Sequence, residues 1–278
     1  MTVTQWTGEL NLSLEDRAGK TVARNVYFQG AFKVMRPIYH DDSGKVCYYL
    51  LNPGGGYLDG DRYRMDITAE PDARVTLTTQ GATKVYKTPK DHAYQETTMT
   101  LKAGSYLEYL PDPLIAYKDA AYRQKNIVRM ESGATFLYTD ILTPGWSPDG
   151  GQFAFDSVRL INEIYVDGEP AVFDNIRLSP SDQKVGGLGF MEGYTHLGSM
   201  IAIGEQTTDD LIDILHDLLA GTLEEDQVKF GISRLAVPGF SIRILGRSTG
   251  RIEKMLNACH KRISEEWLGL TPASLRKY

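Results

Sequence analysis

Apolar and polar positions alternate at period two through most of the first two hundred residues. In "RYRMDITAE", Tyr63, Met65 and Ile67 fall on one face and Arg62, Arg64, Asp66 and Thr68 on the other, the pattern of a half-buried strand. Short runs of this kind, rich in Thr, Val and Tyr and punctuated by Gly, recur to about residue 200 without a helical stripe among them. Three segments resemble one another: "DARVTLTT" from Asp72, "AGSYLEYL" from Ala103 and "SGATFLYT" from Ser132. Aligning Ala73, Gly104 and Gly133 gives spacings of 31 and 29 residues, and each segment follows another strand-like run ("YRMDITA", "TTMTLKA", "NIVRMES"). The unit is strand, tight turn, strand. Repetition at that period predicts stacked sheets or coils in which each layer covers the next, with a set of ordinary β-hairpins as the alternative.

The pattern changes near the C-terminus. "TTDDLIDILHDLLAG" offers Thr207 and Thr208 as caps, acids in the first turn, a stripe of Leu211, Ile212, Leu215, Leu218 and Leu219, and Gly221 as a stop. A second helix is predicted from about Thr249 to Leu268, with Ile252, Met255, Leu256, Cys259, Ile263 and Trp267 on one side. Between them "FGISRLAVPGFSIRILGRS" reads as strand, Pro-Gly turn, strand. The expected fold is therefore mainly β, with stacked β-helix-like layers of strands and two α-helices in the C-terminal part. No Pro/Ser-rich linker interrupts the chain, so residues 1–278 are expected to form a single domain.

"NPGGGYLDGD", residues 52–61, is the densest glycine cluster. A phosphate loop would continue into Gly-Lys-Ser/Thr or a helix, whereas this one leads into a strand, and a dinucleotide fingerprint would need Gly where Asp59 stands. Asp59 and Asp61 are too few and too close for a calcium loop of the EF-hand kind. The glycines are read as a turn that tolerates positive φ, and that turn places Asp61.

Lys and Arg number 30 against 36 acids, a net charge of −6, which argues against a nucleic-acid partner held by bulk electrostatics. The two cysteines, Cys47 and Cys259, are far apart, in no Cys-x-x-Cys arrangement, and are expected as buried apolar residues in a reducing compartment. The N-terminal stretch lacks a basic and apolar leader pattern, and no apolar run is long enough to span a bilayer. A soluble cytoplasmic protein with no membrane partner is the expectation.

Neither Gly-x-Ser-x-Gly nor His-Glu-x-x-His occurs. Asp213 and His216 share a helix face at a spacing that metals use, but such pairs are commonly a solvated surface; Cys259 and His260 are adjacent and so diverge on a helix. Asp61, Glu108, Asp112, Asp140 and Glu163 sit where a strand end or turn would expose them. Hard oxygen donors of this density suit weak, exchangeable cation binding; solubilising surface acids are the alternative. "YLPDPLIAYKDAAYRQ" and "DILTPGWSPDGG" pack aromatics, prolines and acids into expected loops, as binding surfaces or as rigid turns.

"NPGGGYLDGDRY", "VTLTTQGATKVYKT", "LEYLPDPLIAYKDAAYRQ" and "SIRILGRS", in that order from residue 52 to 248, resemble the signature blocks of the urease accessory proteins called UreD or, in some bacteria, UreH. Many members of that family carry Gly-Arg where this chain has Gly145 and Trp146, so no role is carried over for that arginine. The resemblance implies a mostly β fold and a non-enzymatic maturation factor. With UreF and, through UreF, the GTPase UreG, it would bind the urease apoprotein and help deliver nickel to the urease active site. It implies no tightly bound cofactor, only nickel in transit, and GTP hydrolysis would belong to UreG. A path that passes nickel on needs carboxylates, hydroxyls and water in preference to thiolates. The candidates are Asp61, Glu163, Asp140 and Thr79, with Thr78 and Gln80 beside the last. The C-terminal helices and the strand pair before them are expected toward UreF, and the loop from Asp112 to Tyr117 toward another partner. Two rivals stand: a β-helical carbohydrate-active enzyme with an acidic cleft, and a pure docking scaffold.

Overall fold

The computed structural model describes residues 6–222, 227–272 and 275. The chain opens with β1 (Gly8–Arg17), β2 (Lys20–Gly30), β3 (Lys33–Val34), β4 (Ile38–Tyr39) and β5 (Val46–Leu51). The repeated region follows as β6 (Arg62–Ala69), β7 (Arg74–Thr79), β8 (Thr83–Val85), β9 (Ala93–Leu101), β10 (Tyr106–Leu110), β11 (Leu114–Ala116), β12 (Ala121–Met130) and β13 (Thr135–Leu142). The remainder holds β14 (Ser157–Val166), β15 (Glu169–Leu178), β16 (His196–Ile203), α1 (Asp209–Ala220), β17 (Val228–Arg234), β18 (Gly239–Gly246) and α2 (Thr249–Leu268).

These strands stack as coils rather than as separate hairpins. In one sheet β6, β9, β12 and β14 run parallel in register, extended by β1 and β2 at one end and by antiparallel β15 at the other. In the facing sheet β5, β7, β10 and β13 run parallel, extended by antiparallel β16, β18 and β17. A short third side closes each coil: Tyr57 pairs with Val85, β8 with β11, and Tyr117 with Trp146. The result is a solenoid of about 4 turns. Two expected loops are therefore layers of the stack. Leu114–Ala116 is strand, and the glycine cluster is the third side of the first coil.

Register corrects the repeat by one residue. Tyr106 lies against both Arg74 and Thr135, so Asp72, Gly104 and Gly133 are the equivalent turn positions, at φ 61°, 72° and 78°. Their turns close identically, with the N–H groups of Ala73, Ser105 and Ala134 donating to the carbonyls of Glu70, Lys102 and Glu131. Small-residue matching placed Ala73 there, because Asp is one of the few other residues that enter the left-handed region at modest cost.

The second sheet is covered on both faces. Its inner face meets the first sheet around Leu77, Tyr109 and Phe136; its outer face packs Met200, Ile242 and Ile244 against Leu211, Leu215, Ile252, Met255 and Ile263 of the helices. Both helices have the expected bounds, and α1 has its expected cap and stop. Thr208 accepts from the N–H of Leu211, and Gly221 and Gly269 end α1 and α2. Among the described residues no helix is long and apolar enough to cross a membrane.

Gly198 of β16 sets how closely α2 approaches. A Cβ there would overlap Cγ2 of buried Ile252. Gly198→Ala is expected to cost about 1–3 kcal/mol through overpacking, and Ile252→Ala alone about 2–5 kcal/mol through the cavity it leaves. The double variant should cost clearly less than the sum. Urea unfolding of the four proteins measures this, and strict additivity would mean that the two side chains do not share the space.

Candidate functional site

The two sheets do not meet through apolar groups alone. The inward positions of β9, β12 and β14 include Gln95, Thr97, Gln124, Asn126 and Asn162, stacked rung on rung. Buried polar groups are as a rule hydrogen-bonded, and here most of them bond to one another, with Asn126 Oδ1 left without a partner. Tyr57 Oη donates to Gln95 Oε1, and Gln95 Nε2 to Thr97 Oγ1 (3.2 Å). Tyr122 Oη donates to Gln124 Oε1 (3.1 Å), Gln124 Nε2 to Tyr138 Oη (3.3 Å), and Tyr138 Oη to Asp140 Oδ2 (2.9 Å). A second line runs from Asn126 Nδ2 to Asn162 Oδ1 (2.8 Å), then Asn162 Nδ2 to Asp174 Oδ2 (3.1 Å). There Arg243 Nη2 of the facing sheet pairs with Asp174 Oδ1 (2.6 Å).

Beside these lines lies a cavity of about 410 Å³, where the second-sheet strands end and the chain crosses to the third side. Its lining joins apolar side chains such as Phe32, Leu50, Met65 and Leu160 to polar ones, among them Asn52, Thr79, Gln80, Thr83, Lys84, Gln95, Asp112, Gln124 and Asp140, with Gly55, Gly56 and Tyr57 along one wall. Thr79 is fixed by a reciprocal pair: its hydroxyl donates to Asp112 Oδ2 (3.1 Å) and accepts from the Asp112 N–H (2.8 Å). Burial raises the pKa of Asp140 from its ordinary value, against the pull of Arg243 and of neighbouring hydroxyls. Burial also pushes the phenol of Tyr109 in the cavity wall up to about 12.

The four sequence candidates separate into two groups. Thr79 and Asp140 line the cavity, as does Gln80. Thr78 points to the opposite face of β7, where its hydroxyl donates to the Leu110 carbonyl (2.6 Å). Asp61 and Glu163 are not among the lining residues. Asp61 Oδ2 accepts from the Leu58 N–H (2.7 Å) and the Tyr63 hydroxyl (3.3 Å), so this carboxylate is committed to its own turn. Glu163 lies on the outer face of β14, 2.9 Å from Lys125 Nζ and bonded by Tyr165. The glycine cluster serves the wall directly. Gly55 and Gly60 adopt positive φ, and a Cβ on Gly56 would stand 2.7 Å from the Lys84 carbonyl.

Glu108 departs from its expected exposure. It is mid-strand in β10, in a sheet buried on both faces, and is fully enclosed. Four groups meet its carboxylate: Tyr106 Oη (2.6 Å), Thr76 Oγ1 (2.6 Å), Lys45 Nζ (3.1 Å) and His260 Nε2 of α2 (2.9 Å). Burial alone would raise its pKa, but His260, Lys45 and Thr76 outweigh it and hold the carboxyl well below its ordinary value. His260 is thus buried against Glu108. Cys259 beside it faces the apolar core, its thiol pushed up to about 12 by burial. His216 is on the exposed face of α1, nearest to Asp217 (3.6 Å). Among the described residues no three His, Cys, Asp or Glu converge as a metal-holding group.

Comparison with known proteins bears on what such a cavity serves. A family model described as UreD urease accessory protein matches residues 7–277. The chain is 45% identical over 276 residues to a urease accessory protein UreD from Lachnoclostridium phytofermentans, covering 99% of this chain and 100% of that protein. Proteins of the same name from Staphylococcus epidermidis and Staphylococcus aureus are 43% and 42% identical over 274 residues, covering 99% of each chain.

Two stability measurements check the electrostatics. Glu108→Gln leaves Lys45 and His260 without their buried counter-charge and is expected to cost about 3 kcal/mol at pH 7. Because the folded carboxyl titrates below the unfolded one, its contribution is present above the ordinary value of 4.5 and declines as the pH falls below it. The gap between wild type and variant should therefore narrow from pH 7 to pH 3.5 in denaturant titrations; a constant gap contradicts the assignment. Asp140 has the opposite sign: its raised pKa makes ionisation destabilising as pH rises toward the folded value. Asp140→Asn should unfold at the same or higher denaturant concentration than wild type at pH 7, and a large loss would contradict the burial argument.

Proposed function

The chain belongs to the UreD family of urease accessory proteins and acts in urease maturation without being an enzyme; from that premise we propose that it is a scaffold and nickel conduit. It works with UreF and, through UreF, with UreG on the urease apoprotein in the cytoplasm. The observation that carries the conduit half is the cavity between the sheets, in whose largely apolar wall Asp140, Asp112, Thr79, Gln95 and Gln124 stand.

The chemistry of that wall suits a cargo that must leave again. Nickel(II) with thiolate or clustered imidazole ligands is held strongly, whereas isolated carboxylate, amide and hydroxyl oxygens replace its waters a few at a time. Asp140 and Asp112 supply charge, and the amides and hydroxyls supply neutral donors between them. Burial raises the pKa of Asp140, and a cation beside its carboxylate offsets that burial, as Arg243 does in part. Asp61 acts at one remove, by fixing the turn that carries Gly55, Gly56 and Tyr57. Glu163 lies apart from this route, in its pair with Lys125. The carbohydrate-enzyme rival is set aside by the family; the pure scaffold is the reading to test against.

The experiment is activation of apo-urease co-expressed with the other accessory proteins, scored by nickel content, urease activity and co-purification of the complex. The intact chain should be required for activity. Asp140→Asn should lower nickel content about tenfold or more with the complex intact, and Asp61→Ala should lower it less. Equal nickel loading without the chain would overturn the maturation role. Equal loading with Asp140→Asn would leave the scaffold alone.

A further inference from the structure

Two polar rungs face each other where the two sheets run out toward their free edges. On the first sheet Asn126 of β12, Asn162 of β14 and Asp174 of β15 are register partners; on the second, Asp140 of β13, Ser199 of β16 and Arg243 of β18 are. Facing sheets pack about 10 Å apart, so the inward side chains of the two rungs meet in one layer. Arg243 Nη2 joins them by its pair with Asp174 Oδ1 (2.6 Å), and Asp174 Oδ2 accepts from Asn162 Nδ2 (3.1 Å). Asp140, at the inner end, also lines the cavity, whereas Asp174 and Arg243 do not. The layer thus leads from the cavity toward β15, the free edge of the first sheet.

Charge and hydrogen bonding in this layer do not balance. Two carboxylates share one guanidinium, and among the described residues no cationic nitrogen lies within ion-pair distance of Asp140, which accepts from Tyr138 Oη (2.9 Å). Asn126 is 1% exposed, yet its Oδ1 has no partner among the described residues, and neither has Arg243 Nη1. Ser199, as deeply buried, stands between Asp140 and Arg243 on their rung. Buried oxygens left without a donor are uncommon, and a hard cation satisfies them as well as a proton donor does. Arg243 also has a way out. Its neighbour along the rung is Gly231 of the edge strand β17, with open space where a Cβ would stand, and the arginine side chain is already 34% exposed.

We propose that this layer is a station for a divalent cation, with Asp140 and Asp174 as charged donors and Asn126 Oδ1 and the Ser199 hydroxyl as neutral ones, and that Arg243 is a resident cation which the metal displaces. As the metal enters from the cavity, the guanidinium leaves Asp174 Oδ1 and turns out past Gly231; as the metal leaves, the ion pair forms again. Two carboxylates with neutral oxygens hold a divalent ion weakly enough to release it, and competition from the arginine weakens the hold further. This rests on the reading that nickel passes through the cavity, and supplies the step that follows it.

The test is equilibrium dialysis of the tag-free full chain against nickel(II) sulfate at pH 7, for wild type, Asp140→Asn, Arg243→Gln, the double Asp174→Asn/Arg243→Gln, and Arg159→Gln. Counting Asp140, Asp174 and Arg243, the layer carries 0 in Asp140→Asn, −1 in wild type and the double variant, and −2 in Arg243→Gln. Arg243→Gln should bind nickel about tenfold tighter, Asp140→Asn about tenfold weaker, and the double variant within about threefold of wild type. Arg159 is exposed on the outer face, where its Nε donates to Asn175, and its variant controls for overall charge; it should stay within about twofold of wild type. Nickel should also raise the urea midpoint of Arg243→Gln more than that of wild type, which reads the same coupling if that variant is less stable. If Asp140→Asn binds more weakly while Arg243→Gln stays within twofold of wild type, the station is overturned and the cavity reading stands. If no variant, Asp140→Asn included, changes nickel binding, both fall. A gain in Arg159→Gln equal to that in Arg243→Gln would assign the effect to overall charge and overturn the displacement.

Discussion

Every polar side chain turned inward between the two sheets has to find its partner inside. This constraint shapes the structure more than any single apolar contact, because an unpaired buried amide or hydroxyl costs about 1–3 kcal/mol. In-register parallel stacking meets it by repetition. Gln95 lies beside Gln124, and Thr97 beside Asn126 and then Asn162, and Asn126 Nδ2 donates to Asn162 Oδ1 on the next rung. Tyr57 of the third side, Tyr138 of the facing sheet and Tyr122 of β12 itself extend the bonding. Where these lines reach the ends of the second-sheet strands, the stack leaves a cavity with polar side chains set in an apolar wall. The site is thus a consequence of how the interior is satisfied.

The same logic explains the second buried charge. Glu108 projects from the opposite face of the same sheet, under α2, and is tolerated because four groups converge on it. His260 reaches it from a residue 152 positions later in the chain, so the ion pair ties the C-terminal helix to the solenoid. Gly198 lets Ile252 sit close enough for that helix to lie flat. Apolar packing and a buried ion pair therefore position α2 together, near the Pro111–Pro113 segment that also borders the interior cavity.

Much of this was legible in the chain. Alternation in "RYRMDITAE" fixed the inward face of β6, and the caps and stripes placed both helices at their observed bounds. The strand, turn, strand repeat pointed to stacking. The third side was not legible, because Leu114–Ala116 is too short to show alternation and pairs with strands about thirty residues away on either side. Nor was the burial of Glu108, which depends on both faces of its sheet being covered. Of the site candidates, Thr79 and Asp140 fall in the cavity wall and Asp61 and Glu163 do not, since an acid at a turn or strand carries no direction by itself. Gln95 and Gln124 did leave a signal. Each stands at an inward position of an alternating strand ("AYQETTMTL", "AYRQKNIVRM"), where an apolar residue is the rule.

The central claim is that the interior cavity carries the metal. It is tested most directly by the rate at which radiolabelled nickel reaches apo-urease in the assembled complex when Gln95 and Gln124 are both replaced by Met, which keeps the volume and removes the oxygen donors. The account predicts transfer at least about tenfold slower with the complex still eluting as one species. Transfer at the wild-type rate would contradict it and leave the chain as a scaffold past which nickel travels by another route.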